Sequence, residues 1–273
     1  MEPIYYYVYW DNIDRRTYLY GTDFVKQPGH YVTLRNPMMP PGTVMQQWSS
    51  AVEPFAAQKE PDLPLLIEGE RYLFRVIART SVPKTLLLRI RFYDRQGELI
   101  RNIVSDEAEK EITCPEGFAR YTAELVNAGT QDLDFHCILI APAELPEHMG
   151  ELQAPTNDRG QLNILIPTRE GHAVRVPSAG DLAGIPNCVV APPEAMLATP
   201  YYTDGWLRKY RPEEWRAINF ISIRRETDDI ANDLAARYDR NGTTLLLNNL
   251  DQVRQAVHVL TDGNLRAVKD PDF

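Results

Sequence analysis

From Arg71 to Tyr93 the chain alternates its side chains residue by residue. Tyr72, Phe74, Val76 and Ala78 fall on one side, against Arg71, Leu73, Arg75, Ile77 and Arg79. Leu88, Ile90 and Phe92 share a side in the next run, against Arg89, Arg91 and Tyr93. A helix would scatter these residues around its circumference, so this stretch is restricted to extended strands with one face toward a core. Ser81-Val82-Pro83-Lys84 between the runs predicts a hairpin loop, and Asp94-Arg95-Gln96-Gly97 the next turn. Leu99 to Val104, Tyr121 to Val126 and Leu133 to Ile140 are further strands, the last two separated by Asn127-Ala128-Gly129. Tyr5 to Trp10 is aromatic on both faces, which suits a strand covered on both sides. Many short strands with regular turn signals predict a β-sandwich or jelly roll over residues 1–141.

Residues 142–160 hold Pro142, Pro146, Gly150, Pro155 and Gly160 among acids and small residues, and read as a linker. Beyond it the period changes. Leu162 to Ile166, Cys188 to Val190, Ile218 to Ile223 and Thr243 to Leu247 are short apolar runs. Between the last two, Thr227 is placed to cap a helix opened by Asp228 and Asp229, with Ile230, Leu234 and Tyr238 as its apolar stripe and Asn241-Gly242 as its stop. Asn249 is placed to cap a second helix with the stripe Leu250, Val253, Val257 and Leu260. Strand, helix, strand, helix predicts a small α/β domain over 161–273.

The net charge of −9 argues against a duplex nucleic-acid binder or a broadly basic membrane-surface protein. No run reaches the roughly 18 apolar residues of a membrane span, and the first residues lack the pattern of a secretory signal. Cys114, Cys137 and Cys188 are odd in number and far apart, which disfavours a disulfide scaffold or a CxxC site. These features make the cytoplasm the expected compartment. No G-x-S-x-G elbow, Walker loop, G-x-G-x-x-G or H-E-x-x-H occurs. His30, His136, His148, His172 and His258 have no metal-ligand spacing. No catalytic, cofactor or metal residue is expected, and the chain reads as a non-enzyme. His136 reads as a histidine on a sheet face, and Asn248-Asn249 as a cap rather than a ligand site.

Two groups of residues are candidates for ligand or partner contact. Trp10, Tyr18, Tyr20 and Trp48 could stack on a sugar ring, although each taken singly is better explained as core. Arg75, Arg79, Arg89 and Arg91 sit on two runs whose pairing would set all four on one sheet face. Such a face is either solvated or a local positive docking surface in an acidic protein.

Several blocks stand in a particular order: Tyr9-Trp10-Asp11-Asn12-Ile13-Asp14, Thr17-Tyr18-Leu19-Tyr20-Gly21, Met39-Pro40-Pro41-Gly42-Thr43, Trp48-Ser49-Ser50, Pro61-Asp62-Leu63-Pro64-Leu65-Leu66, then Gly69 and Tyr72. This ordered set resembles the third protein of the accessory Sec secretion complex of Gram-positive bacteria, which exports serine-rich-repeat glycoprotein adhesins. The resemblance implies a β-sandwich similar to a carbohydrate-binding module, and a non-catalytic adaptor without cofactor. The implied partners are two sibling accessory Sec proteins, the accessory Sec motor ATPase and the glycosylated adhesin, with an N-acetylglucosamine-type sugar as a further ligand and no nucleic acid. The implied location is cytoplasmic, peripheral at the membrane through the accessory Sec translocase. The alternative is a free-standing glycan-binding module or an accessory domain of a carbohydrate-active system.

Overall fold

The structure is a computed structural model, and it describes residues 4–27, 30–52, 60–143, 150–155, 160–197, 206–237, 242–247 and 249–261. The chain divides into two compact units, Tyr5–Glu144 and a second formed by Met1–Ile4 with Leu145–Phe273.

The first unit is built from β1 (Ile4–Val8), β2 (Asp23–Lys26), β3 (Val32–Arg35), β4 (Val44–Ser49), β5 (Arg71–Thr80), β6 (Leu86–Tyr93), β7 (Leu99–Ser105), β8 (Glu109–Thr113), β9 (Arg120–Asn127) and β10 (Asp132–Pro142). Its first sheet centres on β10. That strand pairs with β5 along its length, while β3 and β1 share its other edge. β8 extends the sheet beyond β5, and β2 extends it beyond β3. The second sheet runs β4-β9-β6-β7, all antiparallel. The alternating residues explain the sandwich directly. Phe74, Leu133, Phe135, Ile138 and Ile140 of the first sheet meet Met45, Trp48, Leu88, Ile90, Phe92, Tyr121 and Leu125 of the second in one core. Tyr5, Tyr7, Val8 and Trp10 are all buried, as a strand covered on both faces requires.

Strand pairing overturns one expectation. The Ser81–Lys84 connection is no hairpin: it carries the chain from β5 in the first sheet to β6 in the second. Lys84 adopts a left-handed backbone (φ 60°) in this corner, and the Thr80 and Thr85 hydroxyls both donate to the Val82 carbonyl. The turn at Gly97 (φ 86°) joins the paired strands β6 and β7, whereas the one at Gly129 (φ 116°) is a second crossing between the sheets, from β9 to β10.

The ordered blocks of the first 72 residues are structural joints. Met39-Pro40-Pro41-Gly42-Thr43 forms a turn held against the end of β9: Gly42 donates to the Asn127 carbonyl (2.7 Å), and the Asn127 amide donates to the Met39 carbonyl (2.9 Å). Gly42 has φ 90°, a conformation that strains any other residue. The Trp48 indole N–H reaches the Tyr9 carbonyl at 2.8 Å. Tyr121 donates its hydroxyl to the Pro64 carbonyl at 2.7 Å. Arg16 pairs with Asp62, whose carboxylate also accepts the Ser49 N–H.

The second unit contains β11 (Gln161–Leu165), a hairpin of β12 (Thr168–Glu170) and β13 (Ala173–Arg175), then β14 (Cys188–Val190), β15 (Ala217–Ser222), helix α1 (Asp228–Arg237), β16 (Gly242–Leu246) and helix α2 (Leu250–Thr261). Strands β14-β11-β15-β16 form a parallel sheet. All five residues of Ile218–Ser222 are buried, as are Ala231, Leu234 and Ala235 of α1. Thr227 does not cap α1; its buried hydroxyl bonds the Arg224 carbonyl and the Ser222 hydroxyl. Asn249 caps α2, its side chain accepting the Gln252 N–H at 3.0 Å. Of the stretch 142–160, Pro142 closes β10 and Gln153 bridges antiparallel to Cys188. Residues 144–149 and 156–159, Tyr238, Asn241 and Asn248, and the side chains of Val257 and Leu260, lie outside the description.

Candidate functional site

Strand topology divides the arginine set. Arg75 and Arg79 lie on β5 in the first sheet, and Arg89 and Arg91 on β6 in the second, so the four do not share a face. Sequence alternation assigns inside and outside correctly, but it cannot say that two successive strands enter different sheets. Arg75 faces Glu109 on β8, with its Nε donating to the carboxylate at 2.6 Å, and Arg71 does the same with Glu111. These are exposed cross-strand pairs of small energetic weight.

The aromatic set divides as well. Trp10 and Trp48 are 0% and 2% exposed, and each packs edge-on or stacked against Phe135 (5.8 and 5.6 Å between ring centroids). Neither has a free face for a sugar, which removes the stacking platform they would have supplied. Tyr18 is half-buried against the core, whereas Tyr20 is 84% exposed on its own.

The outward face of the second sheet is the most developed polar surface among the described residues. The register sets Arg89 opposite Glu124, Arg91 opposite Thr122, and Tyr93 opposite Arg120. On the flanks, Gln47 lies opposite Glu124, Ser49 opposite Thr122, Val104 opposite Arg89 and Asn102 opposite Arg91. Glu124 is 2% exposed and carries an ion pair with each arginine: a close, hydrogen-bonded one with Arg89 and a looser one at 3.5 Å with Arg91. A buried carboxylate keeps its charge only when such partners replace water. Arg120 lies over the Tyr93 ring, 4.2 Å from its centroid. The Thr122 hydroxyl is buried and has no hydrogen-bond partner among the described residues. Sequence reading missed Glu124, Thr122 and Arg120. The available signal was their period-two spacing, Arg120 just before the run Tyr121 to Val126 and Thr122 and Glu124 within it.

The remaining titratable groups sit in structural roles. His136 occupies an irregularity in the β10–β5 pairing, stacks on Tyr31 at 4.6 Å, and is 6% exposed. Burial pushes its pKa down to about 4, so it stands neutral. His30 contacts Asp11 at 2.6 Å and stacks on Tyr9. Burial raises the Cys114 thiol to about 11 and the Cys188 thiol to about 12, which leaves both poor nucleophiles. In the second unit Asn163 and Asn219 are buried and bonded to each other at 2.8 Å, and Asn163 also donates to the Pro186 carbonyl. Among the described residues no three His, Cys, Asp or Glu side chains converge as a metal site, and no helix is long and apolar enough to cross a membrane.

Comparison with known proteins adds a second line. Residues 17–142, which fall within the sandwich unit, match the family model described as accessory Sec secretory system ASP3. The accessory Sec system protein of that name from Streptococcus gordonii is 28% identical over 124 residues, covering 45% of this chain and 78% of the relative. Its namesake from Staphylococcus aureus is 26% identical over 133 residues, covering 49% of this chain but only 41% of the relative. Among solved structures, a chain of the glycosylation-associated Gap123 complex from Streptococcus agalactiae shares the fold, with a TM-score of 0.61 at 23% identity over 94% of this chain and 87% of that one.

Proposed function

We propose that this chain, whose residues 17–142 belong to the accessory Sec secretory system ASP3 family, is a non-catalytic adaptor of accessory Sec export. In this reading it binds two sibling accessory Sec proteins, works beside the motor ATPase, and engages the glycosylated serine-rich adhesin on its way out. The cytoplasmic side of the membrane, next to the accessory translocase, is its place of action. The observation that supports the reading is the family match, which falls on the sandwich unit and takes in most of the ordered motif blocks. Those blocks build turns and joints: Gly42 and Trp48 donate to backbone carbonyls, and the Met39 and Pro64 carbonyls accept from the Asn127 and Tyr121 side chains. The best-formed surface beside them is polar and charged, which suits contact with macromolecules more than enclosure of a small substrate.

The test is affinity capture of the tagged full chain from its native host, together with a deletion strain. Capture of two sibling proteins, and retention of the adhesin inside the deletion strain, is the expected outcome. Capture of neither sibling, with normal adhesin export after deletion, overturns the reading.

A further inference from the structure

The outward face of the second sheet holds polar capacity that the chain itself does not use. Arg91 stands opposite Thr122 in the β6–β9 register. It approaches Glu124 only to 3.5 Å, whereas the neighbouring Arg89 has already closed a hydrogen-bonded pair with that carboxylate. The planar guanidinium of Arg91 thus keeps its fork of N–H donors, a shape that fits a carboxylate with two parallel hydrogen bonds. The next guanidinium along the face, that of Arg120, lies on the Tyr93 ring.

Charge decides what fits. Three arginines, Arg89, Arg91 and Arg120, share this sheet face with one glutamate, Glu124, on a chain whose net charge is −9. The strip is therefore a local positive field on an acidic protein, and a carboxylate-bearing partner complements it while a neutral one leaves it uncompensated. Val104, 51% exposed and opposite Arg89 on the edge strand β7, supplies apolar contact area beside the charges.

We infer that this strip is the docking site for an acidic polypeptide segment, in which a carboxylate takes the Arg91 fork. That the partner is a protein rests on the adaptor reading; the acidic chemistry rests on the strip alone.

The probe is a fluorescein-labelled peptide of alternating glutamate and serine, titrated with the full chain at low salt, beside a control peptide with glutamine in place of glutamate. Saturable binding of the acidic peptide that weakens as salt rises is expected, with the control left unbound. Arg91→Ala weakens binding by about tenfold, the loss of a charge-assisted hydrogen bond. Arg75→Ala on the other sheet leaves it unchanged. Arg91 donates no close hydrogen bond to Glu124, so its removal spares the fold, and circular dichroism of the variant checks this. Equal binding of both peptides, no binding of either, or an unchanged Arg91→Ala variant overturns the inference. So does a result in which N-acetylglucosamine, rather than the acidic peptide, shifts the NMR signals of Arg91. Capture of the siblings with no peptide binding overturns the strip alone. Peptide binding without capture overturns the adaptor reading alone.

Discussion

Replacing Trp48 with alanine tests its placement in the core. The indole lies between the sheets at 2% exposure, stacks on Phe135 at 5.6 Å, meets Trp10 edge-on at 6.1 Å, and donates to the Tyr9 carbonyl at 2.8 Å. A buried tryptophan hides about 150–250 Å², which at about 25 cal/mol per Å² is worth about 4–6 kcal/mol. The lost hydrogen bond adds about 1 kcal/mol, while partial burial in the unfolded chain removes about 10–40% of the area gain. The net loss is about 3–6 kcal/mol, overlapping the range of about 3–5 kcal/mol found for truncating large aromatic residues in cores. A domain holds only about 5–15 kcal/mol in total, so the variant stays folded with little reserve. Trp48→Phe keeps the stack but strands the Tyr9 carbonyl, for a smaller loss of about 1–2 kcal/mol. Because the chain has two units, the assay must read the sandwich separately. Native-state hydrogen exchange of β9 and β10 amides at increasing urea gives the opening free energy of that unit. A Trp48→Ala sandwich within about 1 kcal/mol of wild type would refute the core assignment, since an exposed stacking residue is removed at about that cost.

Three further outcomes follow from the same geometry. Glu124→Ala leaves two arginines without their shared carboxylate and costs about 2–3 kcal/mol, below the value for a fully buried pair because both guanidiniums reach water; Arg91→Ala costs under about 1 kcal/mol, and urea unfolding of both variants checks the contrast. His136 has a folded pKa depressed to about 4, so between the unfolded value near 6.5 and that point the unfolded chain binds the extra proton. Stability is full above the unfolded pKa and falls, on the order of 2 kcal/mol, as pH drops toward 4, and a His136→Gln chain should show a flatter stability profile over that window. Cys114, Cys137 and Cys188 are buried, and the raised pKa values of Cys114 and Cys188 add to their protection. All three should resist a thiol reagent at pH 8 until denaturant is added, and rapid labelling of the native chain would contradict the packing.

The sequence by itself determined which side of each strand is apolar, because alternation is a local property of an extended backbone. Leu88, Ile90 and Phe92 point into the core, Arg89 and Arg91 point out, and the runs read as strands at 99–104, 121–126, 133–140, 188–190 and 218–223 recur in the structure with ends shifted by a residue or two. It also determined the cap at Asn249, since that contact spans three residues. Short strands such as β8, β12 and β13 escaped notice because three to five residues carry too little periodicity to stand out. Only the tertiary structure decided which sheet each strand joins. Arg75 and Arg89 are separated by a short corner that resembles a hairpin in composition, yet β5 takes β10 and β8 as neighbours while β6 takes β9 and β7. Pairing partners are chosen by burial across the whole sandwich, not by the loop between two strands. That choice separates the expected arginine cluster and brings Arg89 to Glu124, 35 residues away in sequence. Residue type likewise marked Trp10 and Trp48 as large flat groups, but two sheets closing over them decided that they fill the core and leave the exposed face to arginine, glutamate and threonine.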